Sequence, residues 1–194
     1  MKIKPSNIIL ILAILVSSIF ITSCGKNLSL SNPDIQKLTD KAQKLMQEGN
    51  FEGAIGRLQS INDLNPNLAE NHYNLGIAYY KTNQYEKALD SLNKSINLDK
   101  DLKDAYYTMA VIQEELAIQE TEELEKIEDN KEERINKLIK ITKNYKNARE
   151  NFTAYLNFIG PTPEREGILE KVNEFNKKIK KYTEILTELE IEEE

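Results

Sequence analysis

The chain has 194 residues, of which 40% are hydrophobic, and a formal net charge of −6 from 26 basic and 32 acidic side chains. This length suits one domain of moderate size, and the acidic balance gives no electrostatic footprint for nucleic acid. The single cysteine, Cys24, excludes an internal disulfide.

The amino-terminal residues follow the pattern of a secretory signal. Lys2 and Lys4 precede an apolar run from Ile8 to Ile21 that is broken only by two serines. A helix of this length covers about 21 Å, whereas the hydrocarbon core of a bilayer is about 30 Å thick, which disfavours a permanent transmembrane helix. We therefore expect residues 1–23 to be a removable signal peptide.

The end of the apolar run, ITSC at residues 21–24, resembles the lipobox of bacterial lipoproteins. Ile21 stands where leucine is usual, and Ser23 stands where glycine or alanine is usual. The resemblance implies that Cys24 becomes the lipidated first residue of the mature chain and carries three acyl chains, palmitate among them, which anchor it firmly to a membrane. The alternative is that Cys24 is an incidental thiol in a cleaved signal.

The residues after Cys24 bear on the location of the chain. Gly25, not aspartate, follows the cysteine. By resemblance to the enteric sorting rule, this favours the outer membrane, facing the periplasm, over the inner membrane. Residues 24–33 have little apolar content and are predicted to form the lipidated tether.

The chain matches itself when it is shifted by about 34 residues. The matched pairs are Leu38 with His72, Ala42 with Gly76, Leu45 with Tyr79, Phe51 with Tyr85, Ala54 with Ala88, Leu58 with Leu92, and Leu64 with Leu98. Each segment contains two runs with apolar residues three and four apart, which predicts two amphipathic helices per segment.

This organisation resembles the tetratricopeptide repeat, whose period is about 34 residues. The resemblance implies an all-α solenoid of about three stacked helix pairs, with repeats at residues 35–68 and 69–102. It also implies that Gly76 with Ala88, and Ala42 with Ala54, let paired helices approach closely. The residues expected to pack the repeats are Ala42, Ala54, Leu75, Gly76, Tyr79, Tyr85, Ala88 and Ala148.

A third unit begins in register at Ala105 and then departs from the period. The turn expected near Ala117 is absent, and the second-helix spacing that starts at Tyr85 in the second unit returns only at Tyr145, well beyond one period. We therefore expect residues 103–162 to form a third repeat with an insertion of about 26 residues that extends both helices into an antiparallel coiled-coil hairpin. Asp129 and Asn130 are the predicted turn.

The two arms of the predicted hairpin carry opposite charge. Residues 114–133 contain ten acids and two lysines, whereas the descending arm has basic residues at positions 134, 137, 140, 143, 146 and 149. Two interpretations stay open: charged faces that pair across the hairpin, or a docking prong for a basic partner.

Residues 163–194 are predicted to form a C-terminal capping helix with an acidic tail. Thr162 is the predicted cap, and Pro163 suits the first helical position. The apolar stripe consists of Ile168, Val172, Phe175, Ile179, Tyr182, Leu186 and Leu189. It predicts a helix that runs back along the hairpin as a three-helix end piece, unless surplus stripe remains exposed for a partner or dimer.

A groove is expected on the concave side of the first helices of the pairs. The residues expected to line it are Tyr73, Asn74, Ile77, Tyr80, Tyr107, Thr108 and Val111. Aromatic rings with amide and hydroxyl donors suit an extended or helical peptide segment. The alternative is that the tether or the last helix fills the groove. Because this surface lacks a set of lysines and arginines for a terminal carboxylate, the sequence predicts an apolar preference.

The components of catalysis are missing from the sequence. His72 is the sole histidine and stands at a packing position, and neither a Gly-rich phosphate loop nor a histidine-carboxylate set is visible. We therefore expect neither an enzyme, a cofactor nor a metal site.

Two functions are compatible with these features. The favoured one is a membrane-anchored scaffold that recruits a protein or peptide, because lipoproteins with tetratricopeptide repeats in outer-membrane protein assembly and pilus biogenesis are similar in layout. The alternative is a surface-exposed structural or host-contact lipoprotein with a closed groove. The sequence leaves the partner and the oligomeric state open.

Overall fold

The computed structural model describes residues 32–191. The predicted signal peptide, Cys24 and nearly all of the predicted tether lie outside the described residues. The described part contains seven helices and no strand. They are α1 (Pro33–Gln47), α2 (Phe51–Leu64), α3 (Ala69–Lys81), α4 (Tyr85–Leu98), α5 (Lys103–Leu124), α6 (Lys131–Leu156) and α7 (Pro163–Ile191). None of these helices has the length and apolar character needed to cross a membrane.

The helices pack in chain order. The pairs are α1 with α2, α3 with α4, and α5 with α6, while α2 against α3 and α4 against α5 connect one pair to the next. Helix α7 packs along α6. This arrangement confirms the predicted all-α solenoid. The third pair is the longest, since α5 has 22 residues and α6 has 26.

The turns inside the first two pairs share one backbone conformation. Gly49 has φ 75° and Asn83 has φ 58°, and these residues are one repeat period apart. Glycine and asparagine are the residues that tolerate this left-handed conformation at the end of a helix. One period further on, Ala117 is helical and buried. Because alanine disfavours the left-handed turn, α5 continues past this point.

The first arm of the hairpin, α5, ends earlier than the sequence predicts. Helix α5 ends at Leu124, several residues before the predicted turn at Asp129 and Asn130. Asn130 caps α6: its Oδ1 accepts a hydrogen bond from the Glu133 amide at 3.1 Å, and its Nδ2 donates to the Glu133 carboxylate at 3.1 Å. This reciprocal cap fixes where α6 begins.

The start of α7 agrees with the sequence prediction. Pro163 is the first helical residue, and the Thr162 hydroxyl accepts a hydrogen bond from the Arg165 amide at 3.2 Å. The Arg165 guanidinium donates to the carbonyls of Leu156 and Ile159, which satisfies acceptors at the end of α6. The loop between α6 and α7 is therefore fixed from both sides.

The apolar residues form two clusters. The first belongs to α1–α4 and the first half of α5, and the second belongs to α5, α6 and α7. All seven residues of the predicted apolar stripe of α7 lie in or against the second cluster. The last helix therefore packs along the hairpin, as predicted.

Candidate functional site

The structure places the predicted packing residues and the predicted groove residues in different environments. The packing residues Ala42, Ala54, Leu75, Gly76, Tyr79, Ala88 and Ala148 are buried, while Tyr85 is partly exposed. Among the groove residues, Ile77 and Thr108 are buried, whereas Tyr73, Asn74, Tyr80, Tyr107 and Val111 are partly exposed. The Thr108 hydroxyl donates to the Asp104 carbonyl at 2.8 Å, so it is engaged within its own helix.

Helix α3 packs closely against α4 at Gly76. A Cβ atom on Gly76 would lie 2.6 Å from Cγ of the fully buried Leu92. Tyr79 belongs to the packing group, since its hydroxyl accepts a hydrogen bond from Gln59 at 2.9 Å. His72 is also buried, and its Nε2 lies 2.7 Å from the Pro66 carbonyl oxygen, which is consistent with a packing role.

Two tyrosines from α3 and α4 hold one carboxylate of α5. The Tyr80 hydroxyl donates to Glu115 Oε2 at 3.0 Å, and the Tyr85 hydroxyl donates to Glu115 Oε1 at 2.9 Å. The two rings lie 6.1 Å apart between centroids. Gln119 donates to the Tyr85 hydroxyl at 3.3 Å. Both oxygens of Glu115 are therefore held by neutral donors that come from the preceding helix pair.

The electrostatics of these tyrosines follow from their surroundings. Burial raises the pKa of Tyr80, and the negative charge of Glu115 raises it further. Burial also raises the pKa of Tyr85. Both hydroxyls therefore stay protonated, and remain donors to Glu115, over the whole physiological pH range.

Tyr73 lies one turn of α3 before Ile77. Burial of the ring, together with the nearby negative charge of Asp104, raises the pKa of Tyr73 to about 12. Asp104 is itself exposed at the start of α5. The charge of an exposed acid therefore acts on the Tyr73 hydroxyl.

Tyr107 is fixed by aromatic neighbours from α6. Its ring meets Phe152 edge-on at 5.5 Å and Tyr155 at 5.2 Å between centroids. Burial raises its pKa, with smaller contributions from the charges of Glu164 and Glu114. The Tyr155 hydroxyl donates to Glu164 at 2.8 Å. Two rings of α6 therefore hold Tyr107 in place. The charges of two carboxylates act on its hydroxyl.

We call the surface formed by these groups the acidic tyrosine surface. It consists of Tyr73, Tyr80, Tyr85 and Tyr107 together with Asp104, Glu114, Glu115 and Glu164. Two lysines lie close to it: Lys171 of α7 contacts Glu114 at 2.7 Å, and Lys81 lies 5.5 Å from the centre of the Tyr80 ring.

The carboxylates of this surface are missing from the site predicted by sequence. Glu114 and Glu115 belong to the acidic stretch that is interpreted above as part of the hairpin. The signal that identifies them is the repeat itself, since a shift by one repeat period places Glu114 on Tyr80 and Glu115 on Lys81. Glu114 and Tyr80 therefore occupy equivalent positions on the first helices of successive repeats, as do Glu115 and Lys81.

No group of three or more histidine, cysteine or acidic side chains that could hold a metal ion occurs among residues 32–191. The surface can donate and accept hydrogen bonds, present aromatic edges and attract positive charge. These are the properties of a binding surface.

Comparison with known proteins identifies the fold. Residues 45–112 match the family model of the tetratricopeptide repeat. None of the curated proteins compared with the chain matches it.

Three solved structures illustrate the likeness. The first tetratricopeptide domain of Spaghetti (RPAP3), bound to an HSP90 peptide, has a TM-score of 0.51 at 16% identity, covering 73% of this chain and 91% of that one. The CopN–Scc3 complex has a TM-score of 0.53 at 14% identity, with 80% and 84% covered. The TPR2B domain of yeast Sti1, in complex with an Hsp70 peptide, has a TM-score of 0.51 at 13% identity, with 76% and 99% covered. The repeat match and these likenesses show that the chain has a tetratricopeptide-type helical fold, with tetratricopeptide repeat sequence at residues 45–112.

Proposed function

We propose that the chain is a non-catalytic scaffold that binds a protein or peptide segment through the acidic tyrosine surface. The observation that carries this proposal is the fixed orientation of partly exposed tyrosines on α3 and α5. Tyr80 is held by Glu115, and Tyr107 is held by two aromatic rings of α6. Aromatic side chains that are already ordered lose little entropy on binding, which suits them as anchors for a partner.

The fold supports this proposal in a general way. The solved structures similar to this chain include one bound to an HSP90 peptide and one in complex with an Hsp70 peptide. We extend peptide binding to this chain because its tyrosines lie on the first helices of its pairs.

We further propose that lipid on Cys24 anchors this scaffold in the cell envelope, at the outer membrane facing the periplasm, as part of an assembly complex for outer-membrane proteins or pili. The support is the sequence at residues 21–25. Metabolic labelling with a fatty acid tests the anchor. Label should enter the intact chain and be lost in Cys24→Ser, and label that persists in this variant would contradict lipidation.

Site-specific photo-crosslinking tests the binding surface. A photoreactive amino acid at Val111, which is partly exposed on α5, should yield a covalent adduct with a partner in cells that produce the full chain. The matched control places the same amino acid at Lys94, which is exposed on α4, the second helix of its pair. Tyr73→Ala and Tyr80→Ala should weaken the Val111 adduct.

The alternative function predicts the opposite result. A closed groove in a surface-exposed structural or host-contact lipoprotein would give crosslinks from Val111 to residues of the same chain and no partner adduct. Equal partner adducts from Val111 and Lys94 would also contradict the proposed surface.

A further inference from the structure

Two neighbouring carboxylates on α5 have different partners. Glu114 forms an ion pair with Lys171 at 2.7 Å. Glu115 accepts hydrogen bonds from the two neutral hydroxyls of Tyr80 and Tyr85, and the ion pairs of the described residues give it no lysine or arginine. Hydrogen bonds from phenols orient a carboxylate without neutralising it. Glu115 therefore presents a fixed negative charge on a half-buried surface.

The surroundings of Glu115 favour a cation over an anion. One other acid, Glu114, lies near Tyr80, whereas the charges of Asp104 and Glu164 act on Tyr73 and Tyr107. The lysines that lie close are Lys171, which is already paired, and Lys81, which is exposed beside the Tyr80 ring. An acidic side chain placed against Glu115 would meet a like charge, whereas a basic side chain would be attracted to it.

The two rings beside Glu115 suit the same ligand. Tyr80 and Tyr85 are tilted by 46° at 6.1 Å, with their hydroxyls converging on the carboxylate. Aromatic faces attract ammonium and guanidinium groups, and the aliphatic stems of lysine and arginine pack on apolar surface. Lys81 beside Tyr80 is an example of this attraction within the chain.

We infer that Glu115, flanked by Tyr80 and Tyr85, binds a lysine or arginine side chain of the partner segment, and that the segment is basic with apolar residues between its charges. This inference rests on the proposed function and specifies its partner. It also replaces the purely apolar preference predicted from the sequence, because the carboxylates of this surface do not appear in that prediction.

Three model peptides test the inference. They share alternating leucines and differ in whether the remaining positions are lysine, glutamine or glutamate. Binding to the full chain is measured by fluorescence anisotropy at low ionic strength, where charge effects are least screened. The lysine peptide should bind about tenfold more tightly than the glutamine peptide, since a charge-assisted contact contributes on the order of a factor of ten, and the glutamate peptide should bind most weakly.

A matched pair of variants assigns the effect to Glu115. Glu115→Gln removes the charge and keeps an oxygen that can accept a tyrosine hydroxyl, so it should weaken the lysine peptide about tenfold and change the glutamine peptide by less than about twofold. Glu122→Gln is the control, because Glu122 is exposed on the same helix and its loss changes the net charge equally. It should weaken the lysine peptide by less than about twofold. An unchanged urea unfolding midpoint confirms that both variants are folded.

Three outcomes would overturn the inference. Equal effects of the two variants would show that net charge alone attracts the peptide. Equal binding of the lysine and glutamine peptides, with both lost in Tyr80→Ala, would overturn the basic preference while the binding surface stands. Absence of Tyr80-dependent binding for all three peptides would overturn the inference, and the crosslink at Val111 would then decide the proposed function separately.

Discussion

Helices α1–α4 bury small residues where they cross, and α5–α7 bury large aromatic residues in addition to small ones. In the first region, Ala42, Ala54 and Ala88 are at most 1% exposed and Gly76 approaches Leu92. In the second region, Tyr145, Phe152 and Phe175 are at most 2% exposed. Small residues such as Ala117 and Ala148 are also fully buried in the second region, so its rings add to close packing and do not replace it.

The aromatic contacts of the second region form a connected set. Tyr145 and Phe152 of α6 each lie close to Phe175 of α7, at 5.4 Å and 6.1 Å between ring centroids. Tyr145 also stacks on Tyr182 at 6.2 Å. Rings of this size bury a large apolar area between the helices. The comparison teaches that one solenoid can change its packing chemistry where the repeat pattern is interrupted, and each prediction below tests one side of this difference.

The largest expected effect is the loss of Phe175. Phe175→Ala should lower the free energy of unfolding by about 3–5 kcal/mol, because the fully buried ring leaves a cavity between α6 and α7. Urea denaturation followed by circular dichroism measures the change. Leu169→Ala on the same helix is the control, since Leu169 is 40% exposed and should change stability by less than about 1 kcal/mol. Equal effects of the two changes would contradict the packing described for the second region.

The next effect tests close approach in the first region. Gly76→Ala should destabilise the chain by about 1–3 kcal/mol, because the new Cβ would lie 2.6 Å from Leu92 Cγ, and Leu92 is fully buried. Gly56→Ala in α2 is the matched control. Nothing lies within 4 Å of a Cβ at Gly56, so this change should stabilise the helix by about 0.5–1 kcal/mol. Opposite signs in urea denaturation are the expected result, and a stabilising Gly76→Ala would show that the crossing is looser than described.

A smaller effect tests why α3 ends at the repeat turn and α5 continues past it. Asn83 and Ala117 are equivalent in the repeat, but Asn83 is left-handed and Ala117 is helical. Asn83→Gly should be neutral or slightly stabilising, because glycine adopts the left-handed conformation without strain. Ala117→Gly should destabilise by about 1–2 kcal/mol, since it places glycine inside a helix and removes a buried methyl group. The same sign and size for both would mean that the left-handed conformation at Asn83 does not favour glycine.

The periodic features of the molecule could be predicted from the sequence. The match of Gly76 with Ala42 and of Ala88 with Ala54 follows from the period of the chain, and the absence of a turn at Ala117 predicts the long third pair. These features depend on residues near in sequence and on helical spacing. The end of α5 is less well predicted, because Arg134 of α6 donates to the Ile127 carbonyl at 3.1 Å, a contact across the turn that the apolar pattern does not indicate.

The site was less predictable than the fold. The sequence predicts tyrosines on the first helices, but the link between Tyr85 of α4 and Glu115 of α5 joins residues 30 positions apart. Such a contact depends on the angle between helix pairs, which no local pattern specifies. For the same reason, the burial of Thr108 could not be predicted from its place in the repeat.

The smallest expected effect compares tyrosines of the two regions at alkaline pH. Burial and Asp104 raise the pKa of Tyr73 to about 12. Burial also raises the pKa of Tyr145, but the positive charge of Lys178 opposes this shift. In the unfolded chain both phenols ionise near pH 10. The raised pKa of Tyr73 therefore contributes stability that is fully present below about pH 10 and is lost as the pH rises towards 12.

Urea midpoints measured from about pH 9 to about pH 11 test this difference. At about one pH unit above the ordinary tyrosine value, the unmodified chain should have lost about 1 kcal/mol of unfolding free energy that Tyr73→Phe does not lose. The variant lacks the phenol that ionises more readily in the unfolded chain than in the folded one. Tyr145→Phe should change the pH dependence less, since Lys178 already favours the ionised form of Tyr145 in the folded chain. A larger effect of Tyr145→Phe would contradict this contrast, because it would mean that folding raises the pKa of Tyr145 more than that of Tyr73.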